Sequence, residues 1–187
     1  MDALQAIHTR HTVSKVKPDP LPRELIERLL EAAVQAPNHH RNRPWRFIVL
    51  TGGGREKLGE VLAHSLQVQK PDAPEAALQA ERLKPLRAPV LIAVGVDKSS
   101  DPKVVPLEDV CATAAAVENL LLAAHALGLG AIWRTGAAAR DPQVKGFLGL
   151  AADQELLAIV YLGYPEAQAQ AGAAERPSFP DRTTWME

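Results

Sequence analysis

The chain has 187 residues, 47% of them hydrophobic and 23% charged, which is enough for one domain with a sizeable core and contains nothing that forces a second. Lysine and arginine total 21 against 22 aspartates and glutamates, a formal charge of -1. No global basic field therefore favours nucleic acid or an anionic membrane, and any bound anion must be met locally. Cys111 is the single cysteine, which excludes an internal disulfide, removes the cysteine-rich zinc patterns and fits a reducing compartment. The longest apolar region, Val110 to Trp133, is broken by Glu118, Asn119 and His125 and reads as a buried helix, not a bilayer span. With Asp2 and no apolar signal core at the start, a cytoplasmic location is expected.

Asp2 caps a first helix through Leu4 and Ile7 to about Arg10, leaving Arg10-His11-Thr12 at its C-terminal end, where a cation also suits the helix dipole. Three prolines make Lys17 to Pro22 an extended connector. Pro22 opens a second helix whose stripe of Leu25, Ile26, Leu29, Leu30, Ala33 and Val34 ends at Pro37, with Gln35 beside the stripe. The loop that follows carries His39, His40, Arg41, Asn42 and Arg43, donors held between two rigid elements, where binding residues tend to lie.

Phe47 to Thr51 reads as a strand, Gly52-Gly53-Gly54 as its turn, and about Arg55 to Gln69 as a helix. Strand, glycines and helix have the shape of a phosphate loop. Yet Lys57 stands where a dinucleotide fingerprint needs a third glycine, and the spacing of a P-loop is not met, so phosphate is disfavoured there. Pro71 to Arg87 is a proline-punctuated, partly helical excursion whose Glu81, Arg82, Lys84 and Arg87 read as a solvated face. Pro89 to Val96 is a continuous apolar run and hence a central strand. After a loop, Pro106 opens the longest helix, closed by Gly128, and its alanines suit close approach of another backbone at a subunit interface. Gly130 to Gly136 is a short strand ending in Trp133, Arg134 and Thr135. Asp141-Pro142 starts a short helix, and Leu156 to Leu162 is the last strand. Beyond the low-complexity Ala167 to Ala174, Phe179 and Trp185 are anchors of a tail expected to dock.

No G-x-S-x-G, no H-E-x-x-H and no paired cysteines are present, so hydrolase and zinc readings have little support. His39-His40 as a metal pair is disfavoured, because adjacent loop residues seldom point to one ion and no carboxylate accompanies them in the sequence. His64 and His125 lie on helices without partners at ligand spacing and read as structural. Three separated donor groups remain: Arg10-His11-Thr12, the Gln35 to Arg43 loop, and Trp133-Arg134-Thr135. Arginine, hydroxyl and imidazole suit a phosphate, at roughly 1.5 to 3 kcal/mol per charge-assisted hydrogen bond. A neighbouring Trp and an amide-bearing Gln suit a flat heteroaromatic ring.

The segments R-H-T-V-S-K at Arg10 to Lys15, L-L-E-A-A-V-Q-A-P at Leu29 to Pro37 and R-P-W-R-F-I-V at Arg43 to Val49 resemble the FMN-dependent nitroreductase family. The opening M-D-A-L, A-P-N-H at Ala36 to His39 and G-A-I-W-R-T-G-A at Gly130 to Ala137 are similar to its compact YdjA-like NAD(P)H subgroup, a likeness that runs from Met1 to about Gly163. The resemblance implies an α+β fold, a three-layer α-β-α sandwich around a mixed or antiparallel sheet. It implies one domain over residues 1–187 and an intertwined homodimer with two FMN molecules at the interface, and the anchored tail, residues 164–187, is expected to pack on the partner. Carried over by position, Arg10, His11 and Thr12, with Trp133, Arg134 and Thr135, would hold the ribityl phosphate and one side of the flavin. The other chain would contribute Gln35 and His39.

No side chain is then expected to be catalytic: NAD(P)H delivers hydride to flavin N5, leaves, and is replaced by a nitroaromatic, quinone or similar acceptor. The chain departs from the family pattern at Ser14, where Arg or Lys is usual near flavin N1 and O2, at Arg43, where Gln is usual, and at Gln35, where Arg is common. Which group stabilises the reduced flavin therefore stays open. Two alternatives also stand, a flavin-binding carrier or sensor without turnover, and a colourless nucleotide-binding module using Gly52 to Gly54. The physiological acceptor and the choice between NADH and NADPH are not written in the sequence.

Overall fold

The structure, a computed structural model, describes residues 1–166 and 178–187. The expected docking of the tail falls partly on residues 167–177, outside those described; in the isolated chain Phe179 and Trp185 are exposed. Helix α1 spans Ala3–Thr9, with the Asp2 carboxylate accepting from the Gln5 N–H at 2.8 Å as anticipated for its cap. Helix α2 spans Arg23–Ala33, with Pro22 one position earlier than expected, as the cap and not the first helical residue. Strand β1 is Trp45–Leu50, α3 is Gly53–Gln69, α4 is Glu75–Leu83 followed by a 3-10 turn over Lys84–Arg87, and β2 is Val90–Val96. Helix α5 is Pro106–Ala126, β3 is Gly130–Arg134, α6 and α7 are Ala137–Arg140 and Pro142–Phe147, and β4 is Glu155–Gly163.

The four strands form one sheet in the order β1-β2-β4-β3 with every neighbouring pair antiparallel. Strand β1 begins two residues before the expected Phe47 because Trp45 and Arg46 pair with Val96 and Gly95. Every residue of β2 is buried, as its unbroken apolar run requires of a strand covered on both faces. Val90, Ile92 and Val94, with Ala158, Val160 and Leu162 of β4, face a core shared with α2 and α5. Leu91, Ala93, Leu156, Ile159 and Tyr161 face the opposite core, closed by α3, α6 and α7. The result is the three-layer α-β-α arrangement. The register shifts between Val94 and Gly95, leaving Leu157 as an extra residue on β4. That bulge is why Leu156 and Ala158, two apart, point into opposite cores.

Two close approaches position the site. Helices α3 and α4 cross where Gly59 lies against the backbone of Arg82: a Cβ on Gly59 would stand 2.4 Å from the Arg82 carbonyl oxygen. The segment after α1 runs along the outer edge of β3, with the Val13 N–H donating to the Ala131 carbonyl at 3.0 Å and Lys17 to Tyr164 at 2.8 Å. Gly130 gives it room, since a Cβ there would stand 2.7 Å from Val13 Cγ1. The alanines of α5 serve this chain first: Ala112, Ala116 and Ala124 are buried, and Asn119 Nδ2 donates to the Ala32 carbonyl of α2 at 3.3 Å.

Candidate functional site

Strand β3 is an edge strand, and its end presents Trp133, Arg134 and Thr135 to a cavity of about 470 Å³. Alternation sends Trp133 toward the α2 and α5 side, where its Nε1–H donates to the Leu157 carbonyl at 3.1 Å, the carbonyl of the bulge residue. Arg134 goes to the other side, its guanidinium 5.5 Å from the centroid of the Tyr161 ring. Burial lifts the Tyr161 phenol above its ordinary value, opposed first by Arg134 and then by Arg87. Leu58, Leu62, Ile132 and Ile159 give the cavity an apolar wall, and Glu81 from the end of α4 and Lys84 and Arg87 from the turn after it reach it.

Arg87 is exposed and Lys84 half-exposed, as a solvated face requires, yet Glu81, Lys84 and Arg87 also line the cavity, which the sequence reading did not anticipate. Arg82 does not line it and holds Glu60 at 3.0 Å and Glu75 at 2.6 Å, while Lys84, ion-paired with Glu81, and Arg87 do. The sequence carried a signal for this, since Glu81, Lys84 and Arg87 recur every three residues and share a face of a tight helix. Gln69 and Ser65 also line it. They are held by Asp141, which is buried, accepts from the Ser65 hydroxyl and from Gln69 Nε2 at 3.3 Å, and caps α7 through the Gln143 N–H at 2.8 Å.

Arg10 and His11 lie on the other side of the same edge, bordering a narrow cleft with Leu121, His125, Leu129 and Ala131. Arg10 Nε donates to Glu118 Oε1 at 3.1 Å, and His11 Nδ1 is 3.1 Å from the Thr9 carbonyl. Thr12 is exposed beside them. Ala131, in this cleft, and Arg134, at the cavity, are three strand residues apart, roughly 10 Å. The first and third donor groups thus share β3. His125, read from the sequence as structural, is held by the fold: Thr9 Oγ1 is 2.8 Å from its Nε2, and the His11 ring stands edge-on at 5.9 Å.

Gln35 and His39 are elsewhere. Gln35 Nε2 donates to the Glu31 carbonyl at 3.2 Å, while His39 Nδ1 meets Glu108 Oε2 at 2.9 Å in the first turn of α5. Glu108 and Glu118 are ten residues apart on α5, roughly 15 Å along its axis, so within one chain the His39 loop stands well away from Arg10. The loop is tightly held: Asn42 Nδ2 donates to Asp109 at 2.6 Å, the Arg43 N–H donates to Asn38 Oδ1 at 3.0 Å, and His40, Arg41 and Arg43 take positive φ. A carboxylate does accompany the histidine pair: ligand atoms of His39, His40 and Glu108 lie within 4.8 Å of one another, a correction that only the fold could supply. At Gly52 to Gly54, the Gly54 and Arg55 N–H groups are already bonded to the Thr51 and Gly52 carbonyls, consistent with the failed phosphate-loop spacing. Among the described residues no helix is long and apolar enough to cross a membrane.

Comparison with known proteins adds the following. The nitroreductase family model matches residues 7–164. Over 187 residues the chain is 32% identical to YdjA of Escherichia coli (strain K12), named as an NAD(P)H nitroreductase, covering 100% of this chain and 98% of that protein. The crystal structure of a nitroreductase-like protein from Bacillus cereus superposes with a TM-score of 0.83 at 26% identity, covering 100% and 97% of the two chains. A nitroreductase-type protein from Desulfovibrio desulfuricans, solved in complex with FMN, superposes with a TM-score of 0.76 at 26% identity, covering 100% and 98%.

Proposed function

The chain belongs to the nitroreductase family, and from that premise we propose that it is an FMN-dependent oxidoreductase taking reducing equivalents from NAD(P)H to a nitroaromatic, quinone or similar acceptor, at a site shared by two copies of the chain. The observation that carries this reading is the placement of the donor groups. Arg10-His11-Thr12 and Trp133-Arg134-Thr135 flank one edge strand beside an apolar-walled cavity of about 470 Å³, within the usual range of small-molecule sites. His39, held at Glu108, stands roughly 15 Å along α5 from Glu118 and Arg10, and Gln35 and His39 are left for the partner's site.

Each residue has a definite task in this arrangement. Arg10, His11 and Thr12 supply donors for a phosphate ester. Trp133, fixed by Leu157, and the Thr135 hydroxyl give a flat ring one wall, while Leu58, Leu62, Ile132 and Ile159 keep water from the other. Bound there, FMN supplies the two-electron chemistry that no side chain of this protein offers. Lys84 and Arg87 bring positive charge to the same cavity and take on the role for which Ser14 offers no charge, since charge fixed beside a ring that gains electrons stabilises it. Cys111, Ser65 and the histidines need form no covalent bond.

The absorbance spectrum of the purified protein, followed by anaerobic addition of NADH and NADPH and then of a nitroaromatic or quinone, tests the proposal. A flavin spectrum that bleaches with nicotinamide and returns with acceptor is expected. A colourless protein that gains no flavin from added FMN would defeat it, and flavin without turnover would favour the carrier or sensor.

A further inference from the structure

We propose that His125 is a further anchoring residue for the phosphate end of the cofactor, acting with Arg10 and His11, and that it makes cofactor retention pH-dependent; this deepens the flavin reading above and rests on it. The hydrogen bonds around the two imidazoles fix which nitrogen of each ring carries hydrogen. Thr9 Oγ1 donates to the Gln5 carbonyl at 2.6 Å, so its lone pair accepts from His125 Nε2–H at 2.8 Å. The Thr9 carbonyl can only accept, so His11 Nδ1 carries the hydrogen across their 3.1 Å contact. Each imidazole therefore keeps one bare nitrogen, Nδ1 on His125 and Nε2 on His11. The rings stand edge-on at 5.9 Å, and both border the narrow cleft that Arg10 shares.

The charged and titratable groups around His125 are Arg10 and His11, from the segment packed against α5, and Glu118, two turns earlier on α5 and held by Arg10 at 3.1 Å. Without an anion, burial first, then His11 and Arg10, hold the His125 imidazole below its ordinary value. A phosphate dianion beside Arg10 reverses that balance. His125 Nδ1, on taking a proton, becomes a donor to it, and the last turn of α5 already favours a cation through the helix dipole. Proton uptake and phosphate binding are then linked, and affinity rises as pH falls.

The test is the dissociation constant of FMN and of riboflavin, read from flavin fluorescence between about pH 6.5 and 8.5, the range in which imidazole titrates, for the wild-type protein and His125→Gln. For the wild type the FMN constant is expected to rise by up to about tenfold per pH unit for each proton taken up. In His125→Gln the slope falls by about one proton and FMN binds several-fold more weakly at the lower end, while riboflavin, without a phosphate, shows no slope in either protein. An unchanged FMN constant and slope in the variant would overturn the proposal. Should the variant fail to fold, proton NMR of the wild-type His125 ring decides: its midpoint moves up with FMN and not with riboflavin, and a midpoint unmoved by FMN overturns the role. A wild-type protein that binds riboflavin but not FMN contradicts the phosphate site, whereas one that binds neither defeats the flavin reading itself.

Discussion

Arg10 has two tasks that substitution can separate. It holds Glu118 of α5 through Nε, and it is the fixed charge of the proposed phosphate cleft. Arg10→Ala removes one or more charge-assisted hydrogen bonds at roughly 1.5 to 3 kcal/mol each, so FMN affinity is expected to fall about ten- to a hundredfold. Glu118→Gln keeps the contact's shape and removes only the countercharge, so affinity is expected to hold or improve. Equilibrium titration of both variants with FMN checks this, and an Arg10→Ala protein that binds as tightly as the wild type would remove Arg10 from the site. His125 makes a separate prediction for the flavin-free protein. Its imidazole is held below its ordinary value in the fold, so the unfolded chain binds the proton more readily. The associated stability is fully present above the unfolded value of about 6.5 and is lost as pH falls through the folded value. Thermal denaturation of apoprotein and His125→Gln should accordingly show the wild type losing stability relative to the variant as pH is lowered below about 6.5. Parallel pH profiles would show that the imidazole is not constrained.

The crossing of α3 over α4 is the element that brings Lys84 and Arg87 to the cavity, and Gly59 is its contact point. A methyl group at 2.4 Å from the Arg82 carbonyl cannot be accommodated without parting the helices, so Gly59→Ala is expected to destabilise by about 1 to 3 kcal/mol and to weaken flavin binding through the displaced cations. Denaturant unfolding and FMN titration of the variant measure the two effects; full stability would mean that the crossing is loose. This crossing was not legible in the sequence. The periodicity of α2, the unbroken run of β2 and the capping residues of α1 and α7 were, because each is a local rule satisfied within a dozen residues. Which residues of 71 to 87 border the cavity depends on α3, a separate helix, and spacing alone did not say that Lys84 and Arg87 line it while Arg82 pairs with Glu60 and Glu75. The bulge at Leu157 was hidden for the same reason, since it exists only relative to the pairing with β2. Glu108 beside His39 and Thr9 beside His125 are partners from distant elements, and no residue spacing records them.

At the scale of the molecule, the sequence offered three separated donor groups, and the sheet order sets where each falls in the fold. With β3 at an edge, two donor groups fall on one border, and the axis of α5 carries His39 of the third roughly 15 Å away. In the proposed arrangement a single chain holds two unlike parts of a site, and a symmetric pair would complete two sites at once, because a two-fold interface brings each patch opposite its complement. The isolated chain exposes apolar side chains where such a partner would sit: Leu4 and Ile7 on the outer face of α1, at 68% and 52%, and Leu107 at the start of α5, at 68%. The protein is expected to sediment as a dimer with one FMN per chain. Ile7→Glu with Leu107→Glu, two substitutions at exposed positions that leave both cores untouched, should shift it to monomer and release flavin while the far-ultraviolet circular dichroism stays unchanged. The order of these losses is informative. If the pair of substitutions yields a folded monomer that still retains FMN at wild-type affinity, Gln35 and His39 contribute nothing across an interface, and the cofactor must be held by the β3 border alone.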